Sequence, residues 1–155
     1  MPTELDLNQF IPTEEAKPAP GAATWSSPSN IALVKYWGKR PVQLPSNPSI
    51  SFTLDHCKST TTVNWQPRTA ADSTDFDLNF TFEGEPKPSF IPKIKTFFER
   101  VLPYFPYLLN YSFTIDSSNS FPHSSGIASS ASGMSAMALC LCSMEQKLTG
   151  GLDEA

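Results

Sequence analysis

Basic residues are in deficit: eleven Lys and Arg face fifteen Asp and Glu, for a net charge of −4 over 155 residues. A dedicated nucleic-acid binder shows a basic surplus, so that class is excluded. Charged residues of either sign make up only 17%, below the roughly 25% usual for soluble domains, and Ser and Thr supply the missing polarity. No apolar run approaches the roughly 18 residues of a membrane span. The N-terminus, MPTELDLNQF, lacks the basic and apolar regions of a signal peptide. Cysteine is scarce as well. Cys57, Cys140 and Cys142 cannot all pair, and no metal-ligand spacing joins them to His56 or His123. They read as buried, reduced thiols of a cytoplasmic protein. Hydrophobic residues at 39%, with eleven Phe, are enough for one real core and exclude a wholly disordered chain.

Residues 1–22 are rich in Pro, Ala and Glu and read as a loose leader, followed by one domain over 23–155. IALVKYW (31–37) reads as a buried strand. SISFTL (49–54) and STTTVNW (59–65) read as two more. DFDLNFTF (75–82) alternates, with Phe76, Leu78, Phe80 and Phe82 on one face, and QPRTAADST before it reads as a hairpin loop. A short helix is predicted near 90–102 from Ile91, Ile94, Phe97, Phe98 and Val101. NYSFTIDS (110–117) alternates again through Tyr111, Phe113 and Ile115. A longer helix follows, its predicted stripe running through Ile127, Ala131, Met134, Ala138 and Leu141, seconded by Met137 and Leu148, and ended by Thr149-Gly150-Gly151. The class is α+β with a mostly antiparallel sheet and helices packed on it.

Two stretches carry chemistry. In FPHSSGIASSASG (121–133) a strand ends, a loop of Ser and Gly follows, and a long helix opens. Four backbone N–H groups in a helix's first turn lack intrahelical partners, and the dipole places about half a positive charge there, which suits a phosphate. Gly126 allows close backbone approach, and Ser124, Ser125, Ser129, Ser130 and Ser132 add hydroxyls for phosphate oxygens or Mg²⁺. The GK[ST] element of a Walker loop is absent, and an ordinary Ser-rich cap accounts equally for the composition. From 117 to 144 there is no Asp, Glu, Lys or Arg, so a general base must come from elsewhere. In WSSPSNIALVKYWGKR (25–40), Lys35, Lys39 and Arg40 fall within six residues, and no acidic residue lies between Glu15 and Asp55. Such a cluster, interleaved with Tyr36 and Trp37, suits a multiply charged phosphate ester or forms a solvated basic edge. Asn30, Asn47 and Ser51 are structural hydrogen bonders or ligand contacts.

SNIALVKYWGK, LPSNPSISFTL and FPHSSGIASSASG, in this order, resemble the N-terminal half of the diphosphomevalonate decarboxylases of the GHMP kinase superfamily. KYWGK is specific to the decarboxylase branch, while the Gly-Ser loop alone indicates only the superfamily. The resemblance implies an N-terminal GHMP kinase-type domain with a left-handed βαβ crossover, against the roughly 98% right-handed rule. It implies ATP-dependent, Mg²⁺-assisted conversion of mevalonate 5-diphosphate to isopentenyl diphosphate by a cytoplasmic enzyme that works as a homodimer, without nucleic acid or membrane. Tyr36 and Lys39 would hold the substrate diphosphate, with Trp37 as a pocket wall and Ser132 on the substrate side. Lys35 and Ser130 would act at the reacting groups, Ser130 also contacting ATP phosphate and Mg²⁺. The backbone of Ser124, Ser125, Gly126, Ile127, Ala128 and Ser129 would cradle the ATP phosphates. His123, where relatives often carry Thr, has no assigned role. The family's catalytic Asp matches nothing here, so the chain reads as the N-terminal piece of the enzyme and is expected to be inactive alone. A related GHMP kinase, a phosphomevalonate decarboxylase, or a non-catalytic module reusing the fold are the other readings.

Overall fold

The computed structural model of the protein describes residues 11, 16–41, 44–69, 74–122 and 125–150. In chain order they form β1 (Gly21–Val34), β2 (Lys39–Arg40), β3 (Leu44–Pro45), β4 (Ile50–Pro67), β5 (Asp77–Phe82), β6 (Glu85–Pro86), α1 (Ile91–Val101), β7 (Tyr111–Asn119) and α2 (Ser129–Thr149). One sheet has the order β1-β4-β7-β5-β6, and β2 pairs with β3 separately. All neighbours in the sheet are antiparallel except β5 and β7, which run parallel and are joined through α1. This is the expected α+β architecture with its βαβ unit.

The alternating patterns of the sequence become the core. Phe76, Leu78, Phe80, Tyr111, Phe113 and Ile115 are buried, with Val63 and Trp65 of β4 directly opposite Ile115 and Phe113. Phe98 of α1 sits at the centre, its ring edge-on to Phe76 at 5.5 Å and to Phe113 at 5.1 Å. Such pairs add about 0.5–1.5 kcal/mol each beyond area burial.

Four expectations are corrected. QPRTAADST is not a hairpin loop, because β7 lies between β4 and β5. β7, whose Tyr111, Phe113 and Ile115 are all buried, takes the central place and pairs with β4 on one edge and β5 on the other. The strand expected at 31–37 starts at Gly21 and stops at Val34. TWSSPSN has the composition of a loop, yet it pairs across from the Thr run of β4 through a hydroxyl ladder: Thr24–Thr62 at 2.8 Å and Ser26–Thr60 at 2.7 Å. Pro28 is tolerated because β1 is an edge strand and its register shifts at Pro28/Ser29. That shift leaves residues 55–57 bulged inside β4, which otherwise unites the two predicted strands. Of the leader, 16–20 are tied down: the Lys17 N–H donates to the Leu148 carbonyl at 3.0 Å, and Ala16 and Ala19 pack on the core.

The fourth correction concerns α2. Its buried face is Ser132, Ala136, Cys140, Met144 and Leu148, a ridge at spacing four, joined by Met137 and Leu141; Ala131 is exposed. Small and weakly polar residues make this ridge because the strands beneath it present Ser27, Ser29, Ser59 and Thr61, all buried. Among the cysteines only Cys140 is buried; Cys57 and Cys142 are half-exposed.

Burial pushes the Cys140 thiol up to about 11, and burial likewise raises Tyr107 and Tyr111. Each group is an acid held neutral by the fold. The stability this confers is complete below the ordinary thiol range of about 8.5–9 and is lost as pH rises through the folded value. Urea midpoints are therefore expected to stay flat from about pH 6 to 8 and to fall above about pH 9. A midpoint still flat at pH 11 contradicts this burial.

Candidate functional site

The start of α2 is an uncapped helix end. Gly126 (φ +81°) and Ala128 (φ +57°) both take left-handed backbone, which turns the chain sharply into the helix. Ala128 occupies the cap position, and no side chain closes the first turn. A Ser-rich N-cap, one of the two readings of this segment, is thus not what the loop builds. The Ala128 carbonyl accepts from the N–H groups of Ala131 (2.9 Å) and Ser132 (3.3 Å). The leading N–H groups of Ser129 and Ser130 stay directed outward, where the helix dipole favours an anion.

Hydroxyl groups from the sheet fix this turn from below. Ser29 of β1 donates to the Ile127 carbonyl. The Ser59 hydroxyl lies 2.6 Å from Ser132 Oγ and 2.7 Å from Asn119 Oδ1. Ser59 donates to Asn119 Oδ1, and the one hydroxyl hydrogen of Ser132 is shared between Ser59 Oγ and the Ser129 carbonyl at 3.1 Å. Ser132 is 3% exposed. The structure therefore places this predicted substrate contact beneath the helix, whereas Ser125, Gly126, Ala128 and Ser130 are at the surface and Ile127 and Ser129 half-buried. Ser124 and His123 lie outside the described residues.

Beside the helix start is a cleft. Its apolar walls are Phe80, Phe82 and Phe90, stacked at 5.5 and 6.2 Å, with Ile94, Met134 and Met137. Its polar groups are Ser117, Asn119, Ser129, Ser130 and Lys93. The Asn119 amide nitrogen is buried and has no hydrogen-bond partner among the described residues. An orphaned buried donor at a cleft that adjoins an open helix end fits a flat ligand bearing acceptors, attached to an anion. Met134 and Met137, read from sequence as plain core, serve as floor of this cleft.

Lys35, Tyr36, Trp37 and Lys39 follow β1 on an exposed turn; Trp37 is 87% exposed. Gly38 (φ +81°) makes the turn, and its carbonyl accepts from the Ser46 N–H at 3.2 Å. Asn47 Oδ1 accepts from the Trp37 N–H at 2.6 Å, and Ser49 donates to the Val34 carbonyl at 2.9 Å. Asn30 donates to Ser51 at 3.2 Å. Asn30, Asn47 and Ser51 each make a hydrogen bond within the protein. Lys39 Nζ lies over the Tyr36 ring, 5.6 Å from its centre, so these two residues share one side of the turn as expected. Six residues separate Ser29 from Lys35, up to about 20 Å of extended chain. One strand edge thus carries two anion-attracting regions.

Sequence reasoning missed Ser29, Ser59, Ser117, Asn119, Phe90 and Lys93. Their positions follow from contacts between residues distant in sequence, such as Ser29 with Ile127 and Ser59 with Asn119, and no local pattern marks them. Among the described residues no group of three or more His, Cys, Asp or Glu could hold a metal, and no helix is long and apolar enough to cross a membrane.

Because Ser132 is buried and bonded while Ser130 is exposed, the two serines separate on substitution. Ser132→Ala leaves Ser59 short of a partner and is expected to cost about 1–3 kcal/mol of stability. Ser130→Ala is expected to stay within about 0.5 kcal/mol of the parent protein. Urea denaturation of both variants checks this, and equal losses would contradict the geometry.

Comparison with known proteins gives this site its context. The family model for the diphosphomevalonate decarboxylase-like N-terminal domain matches residues 27–150. Curated diphosphomevalonate decarboxylases are similar: that of Ganoderma lucidum is 36% identical over 143 residues, 84% of this chain and 35% of the relative. That of Bos taurus is 34% identical over 135 residues, 76% of this chain and 32% of the relative. The chain thus spans about a third of the length of the curated relatives it matches. Among solved structures, the mevalonate diphosphate decarboxylase of Legionella pneumophila has a TM-score of 0.66 at 31% identity, over 86% of this chain and 43% of that one. The complex of MDDEF with MVAPP, AMPPCP and magnesium has a TM-score of 0.62 at 31% identity, over 88% of this chain and 39% of that one. The matched region runs from β1 through the turn, the loop and α2, and the chain belongs to the diphosphomevalonate decarboxylase-like N-terminal domain family.

Proposed function

We propose that this chain is the nucleotide- and diphosphate-binding N-terminal part of an ATP-dependent decarboxylase that converts mevalonate 5-diphosphate to isopentenyl diphosphate, releasing ADP, phosphate and CO₂. The observation that carries this reading is the uncapped start of α2, which opens beside an aromatic cleft with an orphaned amide donor. In this reading the cleft takes the adenine ring against the aromatic wall of Phe80, Phe82 and Phe90, with the Asn119 amide donating to a ring nitrogen. The N–H groups of Ser129 and Ser130 and the backbone of 124–128 receive the phosphates. Tyr36 and Lys39 bind the substrate diphosphate, Trp37 walls it, and Lys35 neutralises charge toward the reacting end.

The chemistry explains why the site is built of dipoles and cations. A tertiary hydroxyl is a poor leaving group, and transfer of the γ-phosphoryl of ATP makes it a good one. Phosphate then leaves with the electron pair of its C–O bond, the carboxylate loses CO₂, and the electrons of that C–C bond form the new double bond. Positioning and stabilisation of phosphate charge supply most of the catalysis. Magnesium would neutralise phosphate charge here, and Ser130 would be the hydroxyl oxygen of the loop that holds it; 117–144 offers it no carboxylate. A carboxylate to accept the hydroxyl proton must likewise come from outside that stretch.

Two ligand regions on one strand edge lead to separable binding. Ser130→Ala is expected to weaken binding of MgAMPPCP several-fold and leave mevalonate 5-diphosphate unaffected; Lys39→Ala is expected to do the reverse. Calorimetric titration of the two variants with each ligand checks this. Loss of both ligands in either variant, or of neither in both, contradicts the assignment.

A further inference from the structure

Behind the polar wall of the cleft, β4 supplies two buried hydroxyls. Thr61 is directly opposite Ser117, 3.0 Å from its hydroxyl, and Ser59 is directly opposite Asn119, 2.7 Å from its Oδ1. Ser117 and Asn119 line the cleft, whereas Ser59 and Thr61 are fully buried behind them. The two pairs differ in what they fix. A hydroxyl at Ser117 rotates to suit its neighbours, but the Asn119 amide has a donor end and an acceptor end that exchange places when it turns over. Ser132 sets the direction. It approaches Ser59 at 2.6 Å and the Ser129 carbonyl at 3.1 Å, so the shorter contact takes the larger share of its hydrogen, and the hydrogen of Ser59 is left for Asn119 Oδ1. Turning the amide over would remove that acceptor and force Ser132 onto its longer contact. The Asn119 nitrogen is thereby held at the cleft, buried and without a partner among the described residues.

We propose that Ser59 is a positioning residue for nucleobase recognition. Acting through Asn119, it keeps a hydrogen-bond donor turned toward the base while touching no ligand itself. The proposal rests on the functional reading above and deepens its nucleotide half. The base is read through the Ser59–Asn119 pair, and the phosphates are held by the start of α2. A donor fixed in advance needs no ordering when the ligand arrives, whereas a free amide presents its acceptor end part of the time.

The test compares Ser59→Thr with Ser59→Val, which have the same shape, suit a strand equally and differ in the hydroxyl. Calorimetric titration uses MgAMPPCP and magnesium tripolyphosphate, which carries phosphates without a base. The Thr form is expected to bind MgAMPPCP as the parent chain does, and the Val form about tenfold more weakly, the value of one lost hydrogen bond. Both should bind tripolyphosphate alike. In an Asn119→Ala background the difference between Thr and Val should vanish, because the amide through which Ser59 acts is gone. Ser59→Ala needs no extra room in the core and is expected to repeat the loss seen with Val. Independently of any variant, the Asn119 side-chain amide protons of the isotope-labelled chain should shift in the NMR spectrum with MgAMPPCP and not with tripolyphosphate. Equal MgAMPPCP affinity of the Thr and Val forms, a parallel fall in tripolyphosphate affinity, a Thr–Val difference that survives Asn119→Ala, or unmoved amide protons at saturating MgAMPPCP would each overturn the positioning role. A parent chain that binds MgAMPPCP no better than tripolyphosphate overturns the reading of the cleft itself.

Discussion

The contact between the start of α2 and the sheet is made by hydroxyls, and the site takes its geometry from them. Ser132 shares its hydrogen between Ser59 and the Ser129 carbonyl, Ser59 donates to Asn119, and Ser29 holds the Ile127 carbonyl. Small side chains let the helix lie close to β1 and β4, and the buried hydroxyls must all be satisfied for that closeness to be tolerable. The helix end is consequently fixed in direction without any side chain capping it. A hydrocarbon contact would allow the helix to slide or rotate, whereas a chain of directed bonds restricts it to one seat. The open N–H groups, the loop conformation at Gly126 and Ala128, and the floor of the cleft all follow from that seat.

Much of this was legible from sequence where a face is purely apolar. The alternation in 75–82 and 110–117 and the helical spacing in 91–101 correspond to the strands and helix found, and the Ser-Gly segment does open a helix. What was not legible shares one cause. The first half of β1 and the N-terminal part of the α2 ridge are built largely from small residues, Ser27, Ser29, Ser132, Ala136 and Cys140, which a search for a strongly apolar period passes over. Their burial depends on pairing Thr24 with Thr62 or Ser59 with Ser132, contacts between distant residues. The central place of β7 is a matter of long-range pairing with β4 and β5, and a local turn signal at 66–74 could not reveal it.

The turn from Lys35 to Arg40 shows the same division. Its residue types were readable as an anion site, and the structure adds the frame: Asn47 and Ser49 bind its backbone, leaving the side chains of Tyr36, Trp37 and Lys39 directed away from the core. Together with the loop it forms a surface rich in dipoles and cations, while 117–144 contains no Asp, Glu, Lys or Arg. In the proposed reading, binding therefore belongs to this chain and conversion requires the rest of the enzyme. Lost positioning alone is worth about 7–11 kcal/mol of barrier.

Phosphate release from MgATP and mevalonate 5-diphosphate tests that separation most directly, with the full-length Ganoderma lucidum relative as positive control. The 155-residue chain is expected to run at least about 10⁵-fold slower than the control, the low end of what lost positioning alone removes. A rate within tenfold of the control would contradict it and would place the whole catalytic set inside this sequence.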